Sequence, residues 1–384
     1  MILFVSSWYP SRVNETLGNF VQKHAEAASL FDDVVVLHVC FDEKMKGKPT
    51  TIKISKDEPL KSVIIYVDKF SNPWKRFRKY LSNYRYGLHL VTHLYGAPDL
   101  IHVNVVFPVG LLFVFLKAYR KFPYVITEHW AGYLPEYPAK LSFWKKLLLR
   151  KVFKRSAAVL PVSDDLREAL QGLGFKGNYT VVPNVVDTKV FHLGPKALKD
   201  VVHILHVSSL DNNQKNMSGI LRVMRRLHAL RQDFVLHVVS DGNQKPFVDH
   251  VRALGLDAGA VKFHGSKTTT EVAAMMMAAD FLLLFSNYEN LPCVILEGFA
   301  CGLPVVATDV GGISEHVNEQ QGRLVKAGDE PALLDAMLFM MDHYMDFDRE
   351  MLHAYAEEHF SYTQVGKQIS GVYRGVLGNK ALGL

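Results

Sequence analysis

The chain has 384 residues, 49% of them apolar, a length that predicts two domains with separate cores. Its net charge is +6, and its three cysteines (Cys40, Cys293 and Cys301) are too few and too irregular for a disulfide framework or a zinc site, which suits a reducing cytoplasm. No apolar run reaches the ~18–20 residues of a membrane-spanning helix, and the opening MILFVSSWYP lacks the basic segment of a signal peptide.

The first half of the chain alternates between strand-like and helix-like segments. MILFVS predicts a strand, NFVQKHAEAASLF a helix and DVVVLHV a second strand, and the strand-like runs LIHVN, YVITEH and AVLPVS follow. The apolar stretch 105–116 predicts one buried helix, although Pro108 and Gly110 interrupt it. Short apolar strands alternating with helices are typical of a parallel sheet covered on both faces.

The second half repeats this alternation with the strand-like runs VVHILHV, FVLHVVS, VKFHG, DFLLLFS and PVVAT. The chain is therefore predicted to be an α/β protein with two doubly wound Rossmann-like domains. A polar linker follows Pro183, so we predict an N-terminal domain over 1–183 and a C-terminal domain over 184–360. A helical tail, 361–384, is expected to pack back on the first domain.

Ligands of such sheets bind at the carboxyl ends of the strands, often against helix N-termini. The loop after the first strand, WYPSRVNETLGNF, has Gly18 as its single glycine, and LDNNQKN follows the first strand of the second half. Neither loop contains the G-x-G-x-x-G of a dinucleotide site, so a dehydrogenase is disfavoured. Gly18 could admit a phosphate or simply open a helix, and Lys215 could bind an anion or lie idle on the surface.

A pair of acidic residues lies on the loop and helix after DFLLLFS. Pro292 suits a first helical residue, so Glu289 is predicted at the mouth of the helix and Glu297 two turns inside, ~12 Å further along the axis. That span matches the reach from a sugar to a ribose across a diphosphate, and ribose hydroxyls could partner a buried Glu297. Alternatively, Glu297 could pair with an arginine and Glu289 could interact with the helix dipole, and this would explain the two acids equally well. After the next strand, Gly311 and Gly312 would let the backbone approach a ligand.

The block from Glu289 to Glu315 (ENLPCVILEGFACGLPVVATDVGGISE) resembles the E-x7-E signature of retaining glycosyltransferases with the GT-B fold, and most resembles family four. The likeness extends over most of the chain. VVPNVVDTKVF resembles the family's interdomain segment, QKN its phosphate-binding lysine segment, VVSDGNQKPFV its VGDGP turn and VKFHG its base-side loop. WYPSRVNETLGNFVQKHAEA resembles its donor-facing loop and VITEHW its histidine segment.

This resemblance implies two domains facing across a cleft and a role for each matching residue. Glu289 would contact hydroxyls of the transferred sugar, Glu297 the ribose and Lys215 the diphosphate. His129 would lie beside the sugar, and Gly18 would approach the diphosphate from the opposite domain. The catalytic residues would then be Glu289, His129 and Lys215, and the donor-binding residues Gly18, Ser209, Asn216, Phe263, His264, Gly265, Asn290, Leu291, Pro292 and Glu297.

Three positions depart from the family pattern. Ser209 stands where many members have an arginine beside the lysine, Ser240 replaces a glycine, and ENLP replaces the common EGFP. The missing arginine leaves Lys215 to act with helix amides or with another basic residue, and Asn290 becomes a candidate for sugar selection.

The resemblance implies retaining transfer from a UDP or GDP sugar to a glycan or lipid-linked acceptor in cell-surface polysaccharide synthesis. No cofactor is expected, and no clustered acids or histidines predict a metal. A nucleotide-sugar epimerase or hydrolase of the same fold would consume donor without an acceptor. A non-catalytic nucleotide-sugar-binding protein would bind donor without turnover.

The basic residues suggest where such an enzyme would work. Residues 1–183 carry a net charge of +11 and residues 184–384 a net charge of −5. Two basic segments rich in aromatic residues predict a cytoplasmic enzyme that docks on the anionic inner face of a membrane. Ordinary helices whose apolar side chains face the core and whose charged side chains face water would give the same sequence pattern. No nucleic-acid-binding motif accompanies them, so nucleic acid is not an expected partner. The segments are 72–87, with Lys75, Arg76, Arg78, Lys79 and Arg85 among Trp74, Phe77 and Tyr80, and 140–155, with Lys145, Lys146, Arg150, Lys151, Lys154 and Arg155 among Phe143, Trp144, Leu147 and Leu148.

Overall fold

The computed structural model describes residues 1–55, 60–195, 200–256 and 259–381. The chain divides into two compact units. Unit 1 comprises Met1–Tyr133, Pro138–Val185 and Tyr362–Leu384, and unit 2 comprises Leu134–Tyr137 and Val186–Ser361. The segment Leu134–Tyr137, which the prediction placed in the first domain, groups with unit 2, where the ring of Tyr137 packs edge-to-face on Tyr288 with centroids 5.4 Å apart.

Unit 1 is built on a sheet with the strand order β3-β4-β2-β1-β5-β6-β7. The pairings between neighbours are parallel except that β3 runs antiparallel to β4. The central strands β1 and β5 are fully buried, and their ends coincide because Ser6 pairs with Asn104. The strands are β1 Ile2–Ser6, β2 Val34–Asp42, β3 Thr51–Ser55, β4 Lys61–Asp68, β5 Leu100–Asn104, β6 Tyr124–Glu128 and β7 Ala158–Pro161.

Unit 2 has a parallel sheet with the strand order β10-β9-β8-β11-β12-β13. The order reverses direction between β8 and β11, and such a switch point is where open α/β sheets bind ligands. The strands are β8 Val202–Val207, β9 Phe234–Val239, β10 Val261–Phe263, β11 Phe281–Leu284, β12 Val305–Thr308 and β13 Gly322–Val325. One wholly parallel sheet and one that is parallel except for its edge strand β3 confirm the predicted pair of Rossmann-like domains.

Helices connect the strands in both units. Those of unit 1 are α1 Asn19–Ser29, α2 Pro73–Tyr95, α3 Val106–Val109, α4 Leu112–Phe115, α5 Phe143–Arg155 and α6 Asp164–Gly172. Those of unit 2 are α7 Asn212–Lys215, α8 Met217–Leu230, α9 Lys245–Ala253, α10 Thr269–Ala278, α11 Cys293–Ala300, α12 Glu330–His343 and α13 Arg349–Phe360. The last described helix, α14 Tyr362–Ala381, belongs to unit 1.

Helix α14 packs on α1 within unit 1. A Cβ on Gly366 would lie 2.3 Å from the carbonyl oxygen of Ala27, so the two helices approach closely where this glycine stands. Val365, Ile369 and Tyr373 are fully buried in the core of unit 1. The hydroxyl of Tyr373 lies 2.5 Å from Nδ1 of His102 on β5, so the helix also reaches the sheet.

The predicted single helix over 105–116 is wrong. The structure instead has the two short helices α3 and α4, with Gly110 and Leu111 between them. The backbone of Phe107, the residue before Pro108, is non-helical (φ −105°, ψ 126°), which interrupts a continuous helix. None of the helices in the described residues is both long and apolar enough to cross a bilayer.

Candidate functional site

The loop after β11 brings Glu289 against the end of α7 in unit 2. The Lys215 ammonium contacts Oε1 of Glu289, and the exposed fractions of the two side chains are 13% and 5%. Ser286 donates to the same oxygen at 2.7 Å, and Nε2 of Gln214 donates to Oε2 at 3.2 Å. The carboxylate is therefore held by one cation and two neutral donors, as a nearly buried charge requires.

Short-range backbone features fix the position of Lys215. Asp211 caps α7 by accepting from the Asn213 amide at 3.0 Å. Asn216 follows in a left-handed conformation (φ 49°) and caps α8 by accepting from the amide of Gly219 at 3.2 Å. This residue type tolerates the left-handed region better than most. Lys215 is thereby placed at the junction of two helices, next to the N-terminus of α8.

The loop that carries Glu289 is bonded to helix α7 and to the end of β12. The Asn287 amide donates to the Gln214 carbonyl at 2.7 Å, and the Thr308 hydroxyl donates to the Ser286 carbonyl at 2.8 Å. The Gly312 amide donates to the carbonyl of Asn290 at 2.8 Å.

The room that Gly311 was predicted to leave for a ligand is occupied by the protein itself. Gly311 has φ 56°, and a Cβ there would lie 2.2 Å from the carbonyl oxygen of Glu289. The absence of a side chain therefore lets the loop after β12 lie directly against the loop that carries Glu289.

Helix α11 begins immediately after this loop. Leu291 and Pro292 are buried, and Pro292 is the residue before the helix rather than its first residue as predicted, because its ψ of 117° is extended. Glu297 lies in the second turn of α11 and is half-buried, so the expectation of a buried carboxylate is corrected. This intermediate burial lowers the desolvation cost of the charged side chain.

Two further predicted donor-binding segments follow β8 and β10. Ser209 is exposed after β8, and Gly242 approaches it so closely that a Cβ on Gly242 would lie 2.1 Å from the Ser209 carbonyl oxygen. Gly265 has φ 71° and accepts from the Ser240 amide at 3.1 Å, so it lies beside the end of β9. The segment Phe263–Gly265 is half-buried, and Nε2 of His264 lies 2.9 Å from Nδ1 of His237.

His129 and Gly18 belong to unit 1. Nδ1 of His129 lies 3.1 Å from Oδ1 of Asn184, an arrangement in which the ring nitrogen donates. The ring packs on Phe20 and His24 of α1, with centroids 4.5 and 4.9 Å away. Burial, assisted by the nearby His24, holds the pKa of His129 well below its usual range, so the ring is neutral at neutral pH.

Gly18 is the residue that precedes α1. Its φ is 74°, and a Cβ there would lie 2.6 Å from the carbonyl carbon and oxygen of Trp8. The glycine is thus required by close packing within its own loop. That loop leads into the helix whose residues contact His129.

The sequence did not single out several residues that build these sites. Gln214 and Ser286 hold Glu289, Asn184 orients His129, and the buried Glu128 accepts from the amides of Val106, His129 and Trp130 at 2.9–3.0 Å. Burial raises the pKa of Glu128 to about 6 against the opposing effect of these amides. Gln214 and Glu128 each lie next to a predicted site residue in the sequence, and that adjacency could have indicated them. Ser286 and Asn184 could be identified only from the folded structure.

The arrangement in unit 2 combines a fixed cation, acidic side chains and helix N-termini at the carboxyl ends of parallel strands. Cations and helix amides there stabilise anions, and carboxylates accept hydrogen bonds from hydroxyls. Among the described residues, no set of three or more His, Cys, Asp and Glu is placed to hold a metal ion.

Sequence profiles of two families match the two halves of the chain. Glycosyltransferase Family 4 matches residues 34–190, and Glycosyl transferases group 1 matches residues 202–343. The second match includes Lys215, Glu289 and Glu297.

Individual relatives are glycosyltransferases of several kinds. The putative teichuronic acid biosynthesis glycosyltransferase TuaC of Bacillus subtilis is 27% identical over 62% of this chain, and the chain spans 60% of that relative. MMP alpha-(1->4)-mannosyltransferase of Mycolicibacterium hassiacum is 26% identical over 74% of this chain and 72% of its own. Glycogen synthase of Mycobacterium tuberculosis is 26% identical over 89% of this chain and 86% of its own.

Solved structures of low identity share the fold. Sucrose-phosphate synthase of Thermosynechococcus elongatus superposes with a TM-score of 0.79 at 18% identity, covering 99% of this chain and 100% of its own. HepE of Anabaena in complex with UDP-glucose superposes with a TM-score of 0.72 at 17% identity, covering 98% and 100%. Profiles, relatives and fold together establish that the chain belongs to the group 1, family 4 glycosyltransferases of the GT-B fold.

Proposed function

We propose that the protein transfers a sugar, with retention of configuration, from a UDP or GDP sugar to a glycan or lipid-linked acceptor in cell-surface polysaccharide synthesis. The observation that carries the proposal is the contact between Lys215 and Glu289 where β8 and β11 end, beside the N-terminus of α11. The UDP-glucose bound to HepE, a protein of the same fold, supports a nucleotide-sugar donor. The glycan-synthesising relatives support the acceptor class.

Each residue of the proposed site would interact with a charged group or a hydroxyl of the donor. Breaking the bond between the anomeric carbon and phosphate puts negative charge on the diphosphate and positive charge on the sugar. The Lys215 ammonium and the amides near Asn290 and Leu291 would stabilise the diphosphate. Glu289 would accept from sugar hydroxyls and Glu297 from the ribose, while Ser209, Asn216, Pro292 and Phe263–Gly265 would complete the nucleotide site.

In this mechanism the acceptor enters on the leaving-group side and gives its proton to a phosphate oxygen. Neutral His129, whose Nδ1 donates to Asn184, would accept a hydrogen bond from a sugar hydroxyl at Nε2, and Gly18 would line the phosphate side. Glu289 forms no covalent bond to the sugar, since hydroxyl binding accounts for its place.

A binding screen followed by a turnover assay tests this function. UDP, GDP and ADP and their sugars would be added to the full chain, and a matching nucleotide at ~100 times its dissociation constant stabilises the protein by roughly 2.7 kcal/mol. Donor consumption is then measured with and without a glycan acceptor. Consumption that needs no acceptor would indicate a hydrolase or epimerase, binding without consumption a non-catalytic protein, and absence of all binding would refute the donor site.

A further inference from the structure

The structure brings three basic segments of unit 1 together on one surface. Helix α4 packs against both α2 and α5, and the rings of Phe77 on α2 and Phe115 on α4 meet edge-to-face with centroids 5.5 Å apart. We call the surface formed by the first two turns of α2, by residues 112–121 and by α5 the basic face. The sequence indicated its first and third segments separately and did not include the second.

Four aromatic side chains of the basic face are exposed. Trp74 is 77% exposed, Phe143 69%, Trp144 71% and Phe115 47%. The core is instead contacted by other residues of the same helices, such as Tyr80 and Leu149. The alternative that the large apolar side chains of both segments face the core is therefore wrong for Trp74, Phe143 and Trp144. Together with Phe115 they make four exposed aromatic side chains in one region, which is unusual on a soluble surface.

The charge of this region has a single sign. Helix α2, residues 112–121 and α5 together hold fourteen Lys and Arg residues and no Asp or Glu. A basic surface attracts any polyanion, but an outward layer of tryptophan and phenylalanine gains little from a hydrated acidic protein. Both features together match the interface of an anionic bilayer, where aromatic rings lie at headgroup depth and basic side chains meet the lipid phosphates.

We propose that the basic face docks on an anionic lipid bilayer with Trp74, Phe143 and Trp144 inserted at headgroup depth. The first turn of α5 also connects this face to the His129 region, because Nζ of Lys145 lies 3.8 Å from the ring centre of Phe107 and 4.6 Å from that of Trp130, the residue after His129. This docking extends the proposed function to its acceptor. If the protein is the proposed transferase, its acceptor is a lipid-linked anion presented at the membrane surface.

Vesicle co-sedimentation of the full chain, without nucleotide sugar, tests docking independently of transfer. The protein should pellet with phosphatidylcholine–phosphatidylglycerol vesicles and not with phosphatidylcholine alone, and high salt should weaken the attraction as the Debye length falls from ~10 Å to ~3 Å. Equal partition onto neutral vesicles, or no partition onto either kind, would overturn the proposal.

Variants of exposed residues assign the contact to the basic face. Trp74→Ala/Trp144→Ala and, separately, Lys151→Glu/Lys154→Glu should each lower partition by about tenfold or more. The matched controls lie on exposed positions of unit 2: Leu230→Ala/Met345→Ala for the apolar pair and Arg225→Glu/Arg226→Glu for the charged pair should leave partition unchanged. Unchanged partition of both basic-face variants would contradict the assignment, and retained nucleotide binding would show that they fold.

Tryptophan fluorescence measures insertion itself. Brominated lipid should quench the wild-type emission, and Trp74→Phe/Trp144→Phe should remove most of that quenching, because Trp74 and Trp144 are exposed whereas Trp8 and Trp130 are half-buried. Partition without quenching would mean adsorption by charge alone and would overturn insertion.

Discussion

The ammonium group of Lys215 and the carboxylate of Glu289 are in direct contact although the two residues are 74 positions apart in the sequence. Both side chains are almost entirely buried. Removal of either partner from a buried pair leaves an uncompensated charge and costs about 3–5 kcal/mol. In the proposed donor complex this pairing holds the cation in place before the diphosphate arrives.

We therefore expect Lys215→Ala and Glu289→Ala each to lower the free energy of unfolding by about 3 kcal/mol, and the double variant to lose clearly less than the two losses combined. Chemical denaturation gives the three values. The exposed pair Lys267–Glu271, with N···O 3.0 Å, is the control and should show a coupling of under about 1 kcal/mol. Additive losses for Lys215 and Glu289 would mean that their contact is energetically unimportant.

Glu297 is proposed to bind the ribose, so Glu297→Ala should weaken nucleotide binding itself. Loss of a hydrogen bond to a charged group costs about 1.5–3 kcal/mol, which corresponds to a roughly tenfold to hundredfold rise in Kd. Isothermal titration with the nucleotide that binds best measures this. Glu357→Ala, on an exposed position of α13, should leave Kd unchanged, and equal affinities of Glu297→Ala and wild type would exclude the ribose role.

Gly311→Ala should impair transfer more than a backbone penalty alone predicts. The left-handed conformation costs a residue with a Cβ about 1–2 kcal/mol, and here the Cβ also meets the Glu289 carbonyl oxygen. Gly328 has φ 77° with nothing within 4 Å of a built Cβ, so Gly328→Ala isolates the penalty. We expect Gly328→Ala to retain kcat while Gly311→Ala loses both stability and kcat; the same kcat in both variants would contradict a role for this packing at Glu289.

Transfer should not require a divalent cation, because Lys215 and helix amides are proposed to stabilise the leaving diphosphate. Initial rates in EDTA and in magnesium should agree within about twofold, well below the effect of losing an electrostatic stabiliser. The rate of Lys215→Ala, which lacks the cation, gives the scale for comparison. Activity that disappears in EDTA and returns with magnesium would show that the proposed mechanism lacks a component.

Acid should destabilise unit 2 through His206. Its Nδ1 donates to the Leu283 carbonyl at 2.9 Å, its Nε2 lies 2.8 Å from the Ser208 hydroxyl, and burial lowers its pKa to about 4. The unfolded chain, with a pKa of ~6.5, binds the proton first as pH falls, so this stability is present above pH ~6.5 and is lost towards pH ~4, by about 2 kcal/mol at pH 5.

Denaturation of wild type and His206→Gln at about pH 7.5 and pH 5 measures the contribution of this histidine. The stability difference between the two proteins should shrink by about 2 kcal/mol at the lower pH. His353→Gln, which replaces a half-buried histidine of the same unit, is the control. A difference that stays constant with pH would assign the acid sensitivity to other groups.

Periodicity predicted the strands that are buried on both faces, such as β1, β5 and β11, because their apolar runs are continuous. It missed β3, which is mostly exposed at the sheet edge, and β13, whose sequence GRLV is too short and too mixed to stand out. It also missed β4, although residues 62–67 of that strand form a buried run. The antiparallel pairing of β3 with β4 depends on contacts along the edge and not on the composition of either strand.

The sequence indicated Lys215 and Glu289 as site residues but not that they touch. Their contact depends on β8 and β11 being neighbours in the sheet, which is a property of topology. The same holds for Asn184 and His129, which come together only when the segment after β7 returns to the end of β6. The local sequence pattern therefore identified the site residues, whereas the residues that they contact could be known only from the strand order.

The return of α14 to unit 1 has a consequence for synthesis on the ribosome. Residues Val186–Ser361 emerge after most of unit 1 and before the helix that completes it. At about 5–20 residues per second, their translation takes roughly ten to thirty seconds, and during that time the surface of α1 around Ala27 has no helix to cover it. A chain truncated after Ser361 and released from the ribosome should therefore carry a finished second unit and a first unit that a holdase chaperone still recognises.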